Sequence, residues 1–331
     1  MYNFSLMEKD DIVLETKGLK KTFVTNKGKT QVEAVKGINL KVNKGKIFGF
    51  LGPNGAGKTT SLSMLTTLLV PTGGDATVVG FDLLKEPEKI REYIGYVSQS
   101  GGVDMSANAE DNLILQARLH GASGDVAKKR ASELIKQFEL SEFAERKTTS
   151  YSGGQKRRLD LALGMVHRPK LIFLDEPTTG LDPQSRAHFW EEIRRVKTAG
   201  VTIFLTTHYL DEADNLCDYL AIIDQGTIVA EGSSTQLKRQ IGRESIIIGF
   251  KDMKDLEQAK SLLGKQSYIL KLRSEENKLH LYVKDGEKLL VDVLHLLDNH
   301  AVEMHSIELA KPSLDDVFLE KTGRSLREEG S

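Results

Sequence analysis

The stretch KIFGFLGPNGAGKTTSLSMLTTLLV, Lys46 to Val70, changes character twice within a few residues. KIFGFLG is short and apolar, as a buried strand is, and TTSLSMLTTLLV reads as a helix. Between them GPNGAGKT, Gly52 to Thr59, fits G-x-x-x-x-G-K-[ST] in the strand-to-helix context that this phosphate loop needs. Gly52, Gly55 and Gly57 let the backbone around Pro53, Asn54 and Ala56 turn its amides toward phosphate oxygens. Lys58 neutralises the β/γ oxygens, Thr59 offers a hydroxyl to Mg²⁺, and Thr60 completes the cradle.

A phosphate loop needs a second half. LIFLDE, Leu171 to Glu176, supplies an apolar strand that delivers Asp175 to the metal's water shell. Glu176 beside it is placed to orient and polarise a water for attack on a γ-phosphate. The strand-like VTIFLTTH ends on His208 and EYIGYVSQ ends on Gln99. In isolation each reads as a packing or capping residue. YSGGQ, Tyr151 to Gln155, precedes the basic run Lys156, Arg157 and Arg158 and opens a helical pattern. The short hydroxyl of Ser152 and the bare amides of Gly153 and Gly154 make a second anion cradle, far along the chain from Lys58.

At 331 residues the chain has room for two domains. A hydrophobic content of 39% and a charged content of 28% are those of an ordinary globular protein. The formal net charge of −1 gives no global pull toward nucleic acid, and none is expected as a partner. Cys217 is the single cysteine, which excludes an internal disulfide, a cysteine-rich zinc site and an iron–sulfur cluster. That fits a reducing compartment. The start MYNFSLMEKDDIV lacks the basic opening and apolar run of a signal peptide. No apolar stretch approaches the roughly 18 residues that a membrane span needs.

Strand patterns run from Asp11 to about Leu40 as DIVLETKGL, TFVT and QVEAVKGINLKV, with a turn at NKGK, and predict an antiparallel meander. From about residue 100 to 167 the composition turns helical. Ala131, Leu134, Ile135 and Phe138 fall at i, i+3, i+4 and i+7, and Leu159, Ala162, Leu163 and Val166 repeat that spacing. Buried strands then alternate with helices, which predicts a largely parallel sheet. After Arg243 the order becomes β-α-β-β-α-β, the split-βαβ or ferredoxin-like pattern, followed by the amphipathic SLDDVFLEKTG. The expected division is a nucleotide-binding domain at 10–243, with a helical subdomain at about 100–167, and an accessory domain at 244–331. The last domain carries no site chemistry, so a structural or regulatory role is expected of it.

The ordered set GPNGAGKT, Gln99, YSGGQ, LIFLDEP, TTGLD (Thr178 to Asp182) and His208 resembles the ATP-binding cassette (ABC) ATPases. That resemblance implies an α/β cassette: a mixed sheet core with an antiparallel β subdomain and a helical subdomain. It implies ATP and Mg²⁺ as cofactors, with Thr59, Gln99 and Asp175 at the metal. Lys58, Gln99, Glu176 and His208 become the catalytic set, His208 as the histidine that meets the γ-phosphate. Phe23 stands where the family's aromatic stacks on adenine, although tyrosine is usual there. In these ATPases two cassettes face each other head to tail, and each SGGQ closes over the nucleotide on the other's phosphate loop. Ser152, Gly153, Gly154, Gln155 and Asp182 would then serve a second copy of the chain.

The tail KPSLDDVFLEKTGRSL, with EPTTGLDP and TTHYLDEADNLCD, resembles the daunorubicin-resistance type of exporter ATPase. That type pairs with a separately encoded integral membrane permease and exports drugs, lipids or other hydrophobic compounds. A peripheral position on the cytoplasmic membrane face follows. Two other classes of cassette protein differ from this pattern. A soluble cassette acting on ribosomes or DNA would carry two cassettes or long heptad insertions, and no sustained heptads occur here. An importer or polysaccharide exporter would more readily end in an all-β domain.

Overall fold

The computed structural model describes residues 12–25, 30–241 and 244–324. Two strands, β1 (Ile12–Thr25) and β2 (Thr30–Asn43), pair antiparallel. The segments IVLETKGL and TFVT belong to one strand, with register shifts around Gly18. The expected turn at NKGK lies outside the described residues. Next come β3 (Ile47–Leu51), α1 (Lys58–Leu65), β4 (Gly73–Val78) and β5 (Phe81–Asp82). These last two strands extend the first sheet to the order β2-β1-β4-β5.

The chain then runs through α2 (Pro87–Tyr93) and β6 (Ile94–Val97) into the helical segment. That segment holds α3 (Ala109–Leu119), α4 (Gly124–Gln137) and α5 (Gly153–Gly164). Asn108 caps α3 by accepting the Asp111 amide. Strands β7 (Leu171–Asp175), β8 (Thr202–Thr207), β9 (Tyr219–Asp224) and β10 (Thr227–Gly232) follow, with α6 (Pro183–Thr198) and α7 (Leu210–Leu216) between them. They complete a six-stranded sheet of order β10-β9-β3-β8-β7-β6, parallel except where β10 meets β9.

Alternate residues of this sheet face two different cores, as the two-residue period requires. Ile172, Leu174, Ile203 and Leu205 pack with the helical segment and α6. Leu171, Phe173, Phe204, Phe48 and Phe50 pack with the antiparallel sheet and α1. Phe204 is the hub of the second core, with ring centroids of Phe48 at 5.2 Å and Phe173 at 5.4 Å. Burial on both faces explains why KIFGFLG and LIFLDE read as unbroken apolar runs.

The chain divides into two compact units between Ser234 and Thr235, at the start of α8 (Ser234–Ile241). The boundary expected at Arg243 falls outside the described residues. The second unit has the order β11 (Glu244–Gly249), α9 (Met253–Leu263), β12 (Ile269–Glu275), β13 (Lys278–Val283), α10 (Gly286–Asp298), β14 (Ser306–Ala310) and α11 (Leu314–Thr322). Its sheet runs β12-β13-β11-β14, antiparallel throughout, which is the ferredoxin-like arrangement. Ile246, Ile248, Leu279, Leu281 and Val283 form its core with Leu256, Leu263, Val293 and Leu297 of the two crossing helices. Among the described residues, no helix is long and apolar enough to cross a membrane.

Candidate functional site

Four parallel strands end side by side, and their carboxyl ends carry the polar residues. Register pairs Leu51 with Thr207, Asp175 with Thr206 and Val97 with Leu174. The next residues along the chain are therefore neighbours in space: the 52–57 loop, His208, Glu176 and Gln99. This is where open α/β sheets place their ligands. A cavity of about 530 Å³ opens there, lined by Asn54, Gly55, Gly57, Lys58, Thr59, Thr60, Gln99, Glu176 and His208, together with Ala34 and Thr179.

The loop is held by its tight contacts. Gly57 adopts φ 103°, and a Cβ there would lie 2.5 Å from the Ala34 carbonyl oxygen, so only glycine fits. Lys58 is 4% exposed, and its ammonium donates back to the carbonyls of Gly52 at 2.8 Å and Pro53 at 3.0 Å. It also pairs with Glu176 Oε1 at 3.2 Å. Burial draws the Lys58 pKa down, and the charge of Glu176 pulls the other way.

Glu176 is held by several partners. Oε2 accepts from Gln99 Nε2 at 3.1 Å and from the Thr179 hydroxyl at 3.3 Å. His208 Nδ1 lies 3.2 Å from the same oxygen, close enough to pair but without hydrogen-bond alignment. Burial alone would push the carboxyl up. The neighbouring His208 imidazole and the Lys58 ammonium outweigh it and bring the pKa to about 2. The residue stands at φ 44°, a left-handed conformation that costs a side-chain-bearing residue about 1–2 kcal/mol. Two bonds to Thr206 hold it there: the Glu176 amide donates to the hydroxyl at 3.0 Å and to the carbonyl at 3.2 Å. The same hydroxyl donates to Asp175 Oδ1 at 2.6 Å, and Thr59 reaches that oxygen at 3.3 Å.

The second cradle lies apart. Ser152 to Gln155 line no part of this cavity, and neither do Asp182 and Phe23. Ser152 caps α5: its hydroxyl accepts the Gln155 amide, and Gln155 Oε1 accepts the Ser152 amide. Gly154 faces the start of α6, where a Cβ would stand 3.2 Å from Ser185 Oγ. Asp182 caps α6 by accepting the amide and hydroxyl of Ser185 at 2.8 and 2.6 Å. Phe23 is 38% exposed on β1, with the Lys21 ammonium 5.3 Å from its ring.

Sequence reasoning missed one organising residue. Arg157, taken as part of a basic run, is buried at 7% exposure. Its guanidinium donates to the carbonyls of Pro177 at 2.6 Å, Ser98 at 2.8 Å and Asp175 at 3.1 Å. It thus ties the signature helix to the backbone that presents Gln99, Asp175 and Glu176. Three consecutive cations carry no sign of which one turns inward.

Residues 35–179 match the family described as ABC transporter, and residues 232–322 match the C-terminal domain of DrrA1-3-like ATP-binding proteins. The chain is 40% identical over 319 residues to the doxorubicin resistance ATP-binding protein DrrA of Mycobacterium tuberculosis H37Rv, covering 96% of this chain and 95% of that one. It is 35% identical to the linearmycin resistance ATP-binding protein LnrL of Bacillus subtilis 168, covering 96% and 100%. Among solved structures it resembles the ATP-binding cassette MJ0796 in a dimeric post-hydrolysis state bound to ADP and Pi, at TM-score 0.60 and 27% identity, over 66% of this chain and 98% of that one. Fold, motifs and full-length relatives agree, and the chain belongs to the ABC transporter family as an ATP-hydrolysing subunit with a DrrA-like C-terminal domain.

Proposed function

We propose that this chain powers efflux of a drug-like or other hydrophobic compound through a separately encoded membrane permease, docked on the cytoplasmic face. Relatives named for resistance to doxorubicin and linearmycin support that cargo class. The observation that carries the site assignment is the convergence of Lys58, Gln99, Glu176 and His208 on one cavity at the strand ends.

The residues fit Mg-ATP. Lys58 already faces oxygen ligands, two carbonyls and a carboxylate, which is the chemistry that phosphate offers. The Thr59 hydroxyl and Asp175 carboxylate meet at 3.3 Å and form a hard oxygen set suited to Mg²⁺, with Gln99 hydrogen-bonded to the neighbouring Glu176. Bound there, Mg²⁺ would neutralise charge on the β/γ-phosphates. The loop from Gly52 to Thr60 cradles the phosphates, and Phe23, on β1 outside that cavity, supplies the adenine platform. With its pKa held near 2, Glu176 is an ionised carboxylate at neutral pH, able to orient and polarise the attacking water. His208 contacts the γ-phosphate.

Ser152, Gly153, Gly154, Gln155 and Asp182 act in a head-to-tail dimer on the nucleotide of the second copy. Their position outside the chain's own cavity supports that reading, as does the dimeric cassette structure. Glu176→Gln tests the site. The variant should bind Mg-ATP yet hydrolyse it about 10²–10⁴ times more slowly. Turnover near wild type would overturn the assignment.

A further inference from the structure

His208 directly follows strand β8, and α7, which begins two residues later, is fastened to α6. Arg186, Trp190 and Arg194 stand four residues apart and share one face of α6. Arg186 Nη1 donates to Asp211 Oδ2 at 3.3 Å, Trp190 Nε1 to Glu212 Oε1 at 3.1 Å, and Arg194 Nη2 to the Asn215 carbonyl at 3.0 Å. Tyr209 stands at the end of this seam. Its ring centroid is 4.3 Å from the Arg186 guanidinium carbon and 4.1 Å from the His208 imidazole, tilted 43°.

We propose that Tyr209, clamped by Arg186, is a positioning residue that sets the orientation of the His208 imidazole. The inference rests on the reading of His208 as a γ-phosphate contact. Ring contact and cation–π attraction both depend on geometry, so the pair favours one orientation of Tyr209 and, through it, of His208. Tyr209 adds a second restraint on the imidazole beside Glu176 Oε2, which lies 3.2 Å from His208 Nδ1. Arg186 also lies in the first turn of α6, where its amide donates to the Asp182 carbonyl at 2.9 Å. The clamp therefore links His208 to the turn at Asp182, a residue read as facing the second copy.

Steady-state ATP hydrolysis by the full chain tests this with five variants. Tyr209→Leu should lower kcat about tenfold with KM for ATP within about twofold, the mark of misplaced chemistry rather than lost binding. Tyr209→Phe keeps the ring and should restore kcat to near wild type. Arg186→Met, which removes the clamp but leaves Tyr209 in place, should lower kcat in the same sense and keeps the test alive if Tyr209→Leu does not fold. In a His208→Ala background Tyr209→Leu should add no further loss, since a residue acting through another is not additive with it. Additive losses, an unchanged kcat in Tyr209→Leu, or an unchanged kcat in Arg186→Met would each overturn the proposal. An unaffected kcat in His208→Ala alone would instead remove the reading of the site, and the proposal with it.

Discussion

In the first compact unit Lys58, Arg157, Asp160, Asp175, Glu176 and Glu212 all lie inside, whereas among the described residues of the second no charged side chain is buried. The difference is expensive, because each ion removed from water costs several kcal/mol unless it is paired and hydrogen-bonded. The first unit meets that cost in two ways: Lys58 pairs with Glu176 and Arg157 with backbone carbonyls, while Glu212, whose Oε1 accepts from the Thr178 hydroxyl and Trp190, has its pKa pushed up by burial toward the neutral form. The second unit buries hydrocarbon in its core and keeps its ions in water. Of the buried charges, Lys58 and Glu176 line the site cavity. An apolar core with a solvated surface marks a packing module.

The sharpest way to break this contrast is to remove one buried charge. Lys58→Ala leaves Glu176 buried without its cation, and breaking such a pair costs about 3–5 kcal/mol. Titration with a fluorescent ATP analogue should show binding weakened by at least about a hundredfold. Mixing extends the test. Lys58→Ala chains and Ser152→Arg chains should each fail to pair in ATP, while differently tagged copies of the two should pair when combined, since one intact site then forms across the dimer. Failure to pair in the mixture, beside robust pairing of wild-type chains, would count against action between copies.

A cavity in the apolar core should have a separate effect. Leu281 is fully buried between β12 and β11, and Leu281→Ala should destabilise the second unit by about 2–5 kcal/mol. Calorimetry should show a lowered transition for that unit, with nucleotide affinity retained. Loss of ATP binding in a soluble variant would contradict a non-catalytic second domain and the domain boundary proposed near residue 243.

The smallest effect is on pH. The Glu176 pKa lies at about 2 in the folded chain against an ordinary 4.5, so its contribution to stability is fully present above the higher value and lost as pH falls through the lower. Acid unfolding of wild type should therefore be steeper in that window than that of Glu176→Gln. Parallel curves would show that the carboxylate is not held by its partners.

Much of the fold was legible because its signals are local. Apolar runs of strand length, glycines at a strand–helix junction and helical spacing each depend on neighbours a few residues away. The stretch from Lys46 to Val70 became β3, the loop and α1, and the order after residue 243 became a ferredoxin-like sheet. The weaker elements were not legible. The helix α2 is seven residues long and β5 only two, too short for a period to show.

The candidate site divides in the same way. Residue types alone set the donors and acceptors: a lysine after a glycine loop, paired acids after an apolar strand, a serine and two glycines opening a helix. Only the tertiary structure decided which of them meet. Parallel register brought Gln99, Glu176 and His208 to Lys58, while Ser152 and Asp182 were left to cap helices outside the cavity. It also turned Arg157 inward between the half-buried Lys156 and Arg158, and set Tyr209 between Arg186 and His208. The physical reason is distance along the chain. A side chain's chemistry is fixed by its own atoms, but its partners lie tens to more than a hundred residues away, and only packing of the whole sheet brings them within reach.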